Sequence, residues 1–121
     1  HDGITLEAVK TDDLATLCLK NFEVILIDEG QFFKNLKTEV EKMLQKNKIV
    51  IIAGLNGDFN MNKFGEMIDL VSLSDNVVYL QATCYNCGEN ASFTKRLSSE
   101  EEVVSVNSSY APSCRKCHSI L

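Results

Sequence analysis

The 121 residues carry a formal net charge of −5, with 24% charged and 45% hydrophobic side chains. That length holds one compact domain or a core with a small stapled appendage, excludes a second large domain, and has the composition of a folding chain rather than a disordered tail. Lys and Arg are scattered among carboxylates, which leaves no positive footprint for nucleic-acid phosphates, and no apolar stretch approaches the ~20 residues of a membrane span. The expected setting is cytoplasmic, with no nucleic acid and no membrane as partner. The chain opens at His1 with no initiator Met and no basic-then-apolar leader, and His1 is not expected to be the natural N-terminus.

Thr11, Asp12 and Asp13 precede Leu14, Leu17 and Cys18. This is a capping side chain and an acidic first turn ahead of a short amphipathic helix, expected to end near Asn21 with Cys18 as a small buried hydrophobe. Residues 22–27 form a nearly unbroken apolar run rich in β-branched side chains, which predicts a strand covered on both faces. The run stops abruptly at Asp28-Glu29-Gly30. Leu36, Val40, Met43 and Leu44 then recur at helical spacing, with Lys and Glu opposite. A second buried-type strand follows at 49–53. Strand, helix, strand in this order predicts a parallel sheet and an α/β fold.

Residues 54–63 are polar, Gly-containing and Asn-rich, as in a loop at the C-terminal edge of a strand, where α/β proteins bind ligands. A short helix over 65–71 and a strand over 77–81 are expected to finish the core. No Pro, Gly or Ser linker intervenes before Cys84, so the remainder reads as docked onto the core. The two parts are 1–81, a partial α/β core, and 82–121, a smaller module.

Four of the five cysteines make one constellation: Cys84-x2-Cys87 and Cys114-x2-Cys117. Two residues between cysteines let a tight knuckle aim both thiolates at one ion, and paired knuckles supply the four soft ligands of a structural zinc. Two disulfides or a redox pair are the alternatives; the odd fifth cysteine favours a reducing compartment and the metal. His118 adjoins Cys117, yet four sulfurs already close the shell, so it is expected to be a bystander.

Aliphatic residues ending in Asp28-Glu29 form the pattern of a Walker B strand, in which the Asp holds magnesium and a neighbouring carboxylate can act as base. The matching G-x-x-x-x-G-K-[ST] loop does not occur among residues 1–121. Either the loop belongs to a longer polypeptide, or the chain is no nucleotide phosphotransferase.

Asp28-Glu29-Gly30-Gln31-Phe32-Phe33 is followed by Gly57-x-Phe59 with Phe64-Gly65, by Cys84-x-x-Cys87, by Phe93-Thr94-Lys95-Arg96-Leu97 and by Tyr110-x-x-x-Cys114-x-x-Cys117. In this order the motifs resemble those of the type II thymidine kinases, the cellular cytosolic and poxvirus kind, from His1 to Cys117. The resemblance implies a RecA-like P-loop core with a zinc module, and a homotetramer acting in nucleotide salvage. The implied reaction is phosphorylation of the 5′-hydroxyl of thymidine or deoxyuridine, with magnesium-ATP as co-substrate.

Carried over by motif, Glu29 is the base and Asp28 the magnesium partner. Phe32, Leu55, Phe59 and Thr94 line the nucleoside pocket, and residues 96–110 form a lasso over the base. Main-chain groups of Val103, Val104, Ser105, Val106 and Asn107 would hold thymine, with Tyr110 packing on the nucleoside. Main-chain N–H and C=O groups can match the thymine edge, while a close apolar wall admits a methyl group and excludes a purine. Asn56 stands where the family more often has Asp, Asn107-Ser108-Ser109 replaces a longer glycine-containing stretch, and Gly3 stands where Arg often follows His-Asp.

Phe32, Phe33, Phe59 and Phe93 each also have a plain role as core, Tyr110 in its Ser-rich polar stretch less easily so, and Lys95 and Arg96 read as surface charges without a function. A rival of another class is a zinc-ribbon binding module on a Walker-type remnant; a second is a catalytically inactive chain. The binding module needs a basic or aromatic-studded face, which a charge of −5 and three tyrosines do not supply.

Overall fold

The structure, a computed structural model, describes residues 3–97 and 109–119. Strand β1 (Val24–Ile27) and strand β2 (Ile49–Ile52) pair in parallel, with Val24 opposite Ile49 and Ile27 opposite Ile52. Parallel neighbours need a crossover, and helix α1 (Leu36–Gln45) supplies it. Leu36, Val40 and Met43 recur every three or four residues, so all three fall on one face and are buried; Leu44 lies at its edge, 37% exposed. At the start of α1 the carboxylate of Glu66 accepts the Lys37 N–H at 3.1 Å, satisfying an orphan donor of the first turn. Asn47, at φ 57, turns the chain out of the helix after its N–H has bonded the Leu44 carbonyl.

The core joins α1 to Leu14, Ile27 and Leu70, with Ile25, Val50 and Ile52 packed against it. Only that face of the sheet is covered among the described residues, because α1 lies on one side of it. Val24, Leu26, Ile49 and Ile51 point the other way and are exposed, so the expectation of a strand covered on both faces is corrected to one.

Three local expectations also change. The first helix is a single 3-10 turn, Leu14–Thr16, capped by the Asp13 carboxylate accepting the Ala15 N–H at 3.0 Å. Beyond it Leu17 and Leu19 face the core while Cys18 and Lys20 are exposed, an alternation of period two that extended chain produces and a helix does not. Cys18 is therefore at the surface rather than buried. The short helix expected over 65–71 is a 3-10 segment displaced to Ile68–Leu73, since Gly65 takes φ +57 where it passes the Gln31 carbonyl and cannot start a helix. Residues 77–81 form no strand: Val78, Tyr79 and Leu80 are exposed, and a β-propensity run without a neighbouring edge has no ladder to join.

Two antiparallel pairs follow. Strand β3 (Ala82–Thr83) pairs with β4 (Asn90–Ala91), and β5 (Phe93–Arg96) with β6 (Tyr110–Ser113). Short helix α2 (Arg115–His118) ends the described chain. The Tyr85 N–H donates to the Pro112 carbonyl at 2.9 Å, which ties the first hairpin to β6.

Candidate functional site

Parallel strands present their C-terminal ends on one side, and here β1 and β2 exit together, the Gly30 N–H bonding the Ala53 carbonyl at 3.0 Å. Asp28 and Glu29 stand at that exit. Glu29 adopts φ 54 and ψ 44, a left-handed conformation costly for a residue with a Cβ and typical of positions the surroundings over-determine. Its N–H is held by one Asp28 carboxylate oxygen at 2.9 Å, which leaves the second Asp28 oxygen for a ligand.

Gln31, only 4% exposed, donates from Nε2 to the Glu29 carboxylate at 2.6 Å and accepts the Leu55 N–H on Oε1 at 3.0 Å. Phe32 meets Phe64 edge to face at 5.5 Å. Asp28, Glu29 and Phe32 line one cavity of about 510 Å³, which runs under the segment from Ala8 to Leu19.

A second cluster lies toward the hairpin of β5 and β6. The Arg96 guanidinium sits over the Phe59 ring at 4.0 Å and the Tyr110 ring at 5.5 Å, and donates to the Tyr110 hydroxyl at 3.0 Å. Thr94 lines a separate cavity of about 400 Å³ with Asn56, Asp58, Lys63 and Phe93. Its carbonyl accepts from His118 Nε2 at 2.9 Å, which puts the His118 proton on that nitrogen. The geometry thus brings Glu29, Asp28 and Phe32 together, sets Leu55 beside Gln31, joins Phe59 to Tyr110, and keeps Thr94 in its own cavity. Val103, Val104, Ser105, Val106 and Asn107 lie outside the described residues.

Cys84, Cys87, Cys114 and Cys117 converge, their four sulfurs all within 4.8 Å of one another and unbonded. The Cys87 and Cys114 sulfurs stand 3.6 Å apart. A tetrahedral ion with metal–sulfur bonds of about 2.3 Å spaces its ligands by about 3.8 Å, so this donor set fits a metal ion. Local backbone builds each knuckle: Gly88, at φ +79, returns its N–H to the Cys84 carbonyl, and the Cys117 N–H points at the Cys114 sulfur at 3.5 Å. Asn86 Nδ2 adds a contact to the Cys117 sulfur at 3.3 Å.

The thiols do not share one proton affinity. The Cys114 backbone contact lowers Cys84 to about 6, against the opposing effect of burial. At Cys87 the Glu89 backbone contact acts downward, but burial and the sulfurs of Cys114, Cys84 and Cys117 outweigh it and push the thiol up to about 12. Four adjacent thiolates repel one another, and a cation removes that penalty.

Four residues with structural work were not assigned any by sequence reasoning. Arg96 and Lys95 are not surface charges: Arg96 is buried, and Lys95 Nζ donates to the Cys117 carbonyl at 3.0 Å. His118 links the helix that carries Cys117 to Thr94, and Gln31 bridges the two strand exits. Arg96 lies two residues past Thr94 on one strand and so on the same face, a spacing that could have found it. Gln31 stands within the first of the resemblance motifs but receives no role from it, and nothing local distinguishes His118.

Carboxylates at the exit of a parallel strand, aromatic side chains nearby and a four-thiol cluster that could hold a metal ion mark this as an α/β chain with a small cysteine-bearing appendage. The family profile described as thymidine kinase matches residues 1–118. The thymidine kinase of Rabbit fibroma virus (strain Kasza) is 41% identical over 122 residues, covering 98% of this chain and 68% of the viral protein. Those of Myxoma virus (strain Lausanne) and Vaccinia virus (strain Western Reserve) are each 40% identical, over 98% of this chain and 68% and 69% of their own lengths. The chain belongs to the thymidine kinase family of phosphotransferases.

Proposed function

We propose that the chain carries the phosphoryl-acceptor side of a thymidine kinase, with Glu29 as base for the 5′-hydroxyl of thymidine or deoxyuridine. The observation that supports this best is the Glu29 carboxylate itself, held at the exit of a parallel strand on a strained backbone. Strain of this kind, costing on the order of 1–3 kcal/mol, collects where a side chain must be aimed. As the 5′-oxygen bonds to the γ-phosphorus of ATP, the bond from that phosphorus to the bridging oxygen breaks, ADP leaves with the electron pair, and the hydroxyl proton passes to Glu29.

Asp28 is the residue that would hold magnesium, which when bound neutralises phosphate charge. Phe32, Leu55, Phe59, Thr94 and Tyr110 are proposed to wall the nucleoside, with Val103, Val104, Ser105, Val106 and Asn107 supplying main-chain contacts to thymine. The ATP-phosphate cradle of a RecA-like core is proposed to lie outside these residues, since no Walker A motif occurs among them. Zinc is the metal that best suits Cys84, Cys87, Cys114 and Cys117, because four thiolates in a closed tetrahedron select it. The proposed setting is a cytoplasmic homotetramer in nucleotide salvage; no helix of the described residues is long and apolar enough to cross a membrane.

Glu29→Gln keeps the size of the side chain and removes the proton acceptor. In the complete kinase polypeptide, kcat is expected to fall by about 10²–10⁴ while thymidine affinity changes little. Turnover within a few-fold of the parent would put the base elsewhere.

A further inference from the structure

Among the polar side chains that the proposed chemistry leaves unused, Gln31 is the most constrained. It is 4% exposed, yet its amide nitrogen and oxygen both have protein partners. One partner is the Glu29 carboxylate, which only accepts; the other is the Leu55 backbone N–H, which only donates. The amide therefore has a single orientation, nitrogen toward Glu29 and oxygen toward Leu55, since the flipped form would lose both bonds. The surrounding backbone leaves room for it. A Cβ at Gly54 would stand 2.6 Å from Gln31 Oε1, and one at Gly65 would overlap the Gln31 carbonyl.

We infer that Gln31 is a positioning residue for phosphoryl transfer, fixing the Glu29 carboxylate relative to Leu55 in the proposed nucleoside wall. This role rests on Glu29 being the base. Gln31 occupies Oε2 of Glu29 at 2.6 Å and leaves Oε1 to meet the acceptor hydroxyl. Its other bond ties that carboxylate to the chain leaving β2, so the base and the wall move as one unit. A carboxylate released from this tether can swing about its side-chain torsions, and a displacement of about 1 Å at a reacting group costs on the order of 10²-fold in rate.

The test uses the complete kinase polypeptide and two variants. Gln31→Glu keeps an oxygen for the Leu55 N–H but sets a carboxylate against Glu29; Gln31→Met removes both bonds. Each is expected to lower kcat by about 10-fold or more while thymidine KM stays within a few-fold. In a Glu29→Gln background the same changes should cost little further, because the group they position is gone. Fully additive losses, or a Gln31→Glu enzyme within about twofold of the parent beside a slow Glu29→Gln, overturn the positioning role.

NMR on the parent and on Glu29→Gln needs no Gln31 variant to fold. One Gln31 side-chain amide proton should lie downfield in the parent and move upfield when the carboxylate is replaced. An unmoved resonance also overturns the role. A fast Glu29→Gln enzyme with that resonance moved would instead sink the base assignment while confirming the contact.

Discussion

The guanidinium carbon of Arg96 lies 4.0 Å from the centre of the Phe59 ring. Phe59 belongs to the loop after β2 and Arg96 to strand β5, between the two cysteine pairs, so this stack joins that loop to the β5–β6 hairpin. Arg96 also bonds the Tyr110 hydroxyl at 3.0 Å, which places one planar cation against two of the three aromatic residues proposed to wall the nucleoside. Arg96→Lys keeps the charge but loses the flat, forked donor. Thymidine KM is expected to rise about 10-fold or more in that variant, given stacking and hydrogen-bond contributions of roughly 1–2 kcal/mol. Steady-state kinetics with melting curves checks this; an unchanged KM would make Arg96 a packing residue only.

Tyr110→Ala removes a proposed wall that is 39% exposed and lies outside the hydrophobic core around α1, at the cost of the hydroxyl that accepts from Arg96. Thymidine affinity should therefore weaken by at least about 10-fold, while the melting temperature moves by only a few degrees. A large drop in melting temperature with unaltered KM would return Tyr110 to a structural role.

One zinc per chain is expected at the four-cysteine cluster. Cys114→Ser should lose it, as measured by elemental analysis, because one sulfur fewer opens the closed shell. The Cys114 sulfur stands 3.6 Å from that of Cys87 in the other knuckle, so its loss is felt in both. Absence of zinc from the parent protein purified under reducing conditions contradicts the assignment.

Zinc binding should release protons and weaken as pH falls. The Cys87 thiol, pushed up to about 12, is protonated near neutrality in the metal-free cluster, and its proton must leave for the thiolate to bind. Cys84, held at about 6, is already largely ionised there and takes up a proton only below that pH. Competition titrations with a chelator should therefore show apparent affinity falling from about pH 8 to about pH 6, and more steeply below. A pH-independent affinity would mean that the sulfurs are not the ligands.

Leu36, at the start of α1, is fully buried in the core it shares with Leu14, Ile27 and Leu70. Leu36→Ala should destabilise the fold by about 2–5 kcal/mol, the range for deleting a large aliphatic side chain from a packed site. Denaturant unfolding measures it, and a loss under about 1 kcal/mol would mean that the core closes around the gap.

Much of the frame was legible in the sequence. The apolar runs at 22–27 and 49–53 flank a stretch whose apolar residues recur every three or four positions, and that order alone calls for parallel strands and a crossover helix. The two C-x2-C pairs likewise announce one metal-binding cluster, since the spacing is itself a geometric constraint. Both signals are local, written in the repeat of the backbone.

Tertiary structure decided what depends on neighbours distant in sequence. Leu17, Cys18 and Leu19 carry apolar character suited to a helix, but packing against the core drew alternate side chains inward and left Cys18 outside. Val78, Tyr79 and Leu80 have strand propensity, yet a strand exists only where another edge offers hydrogen bonds. The orientation of Gln31 required Leu55, 24 residues on, to supply a donor. Arg96 looked like a surface charge because a long cationic side chain usually is one; Phe59 and Tyr110 gave it aromatic faces to lie against, and only the folded chain brings those three together.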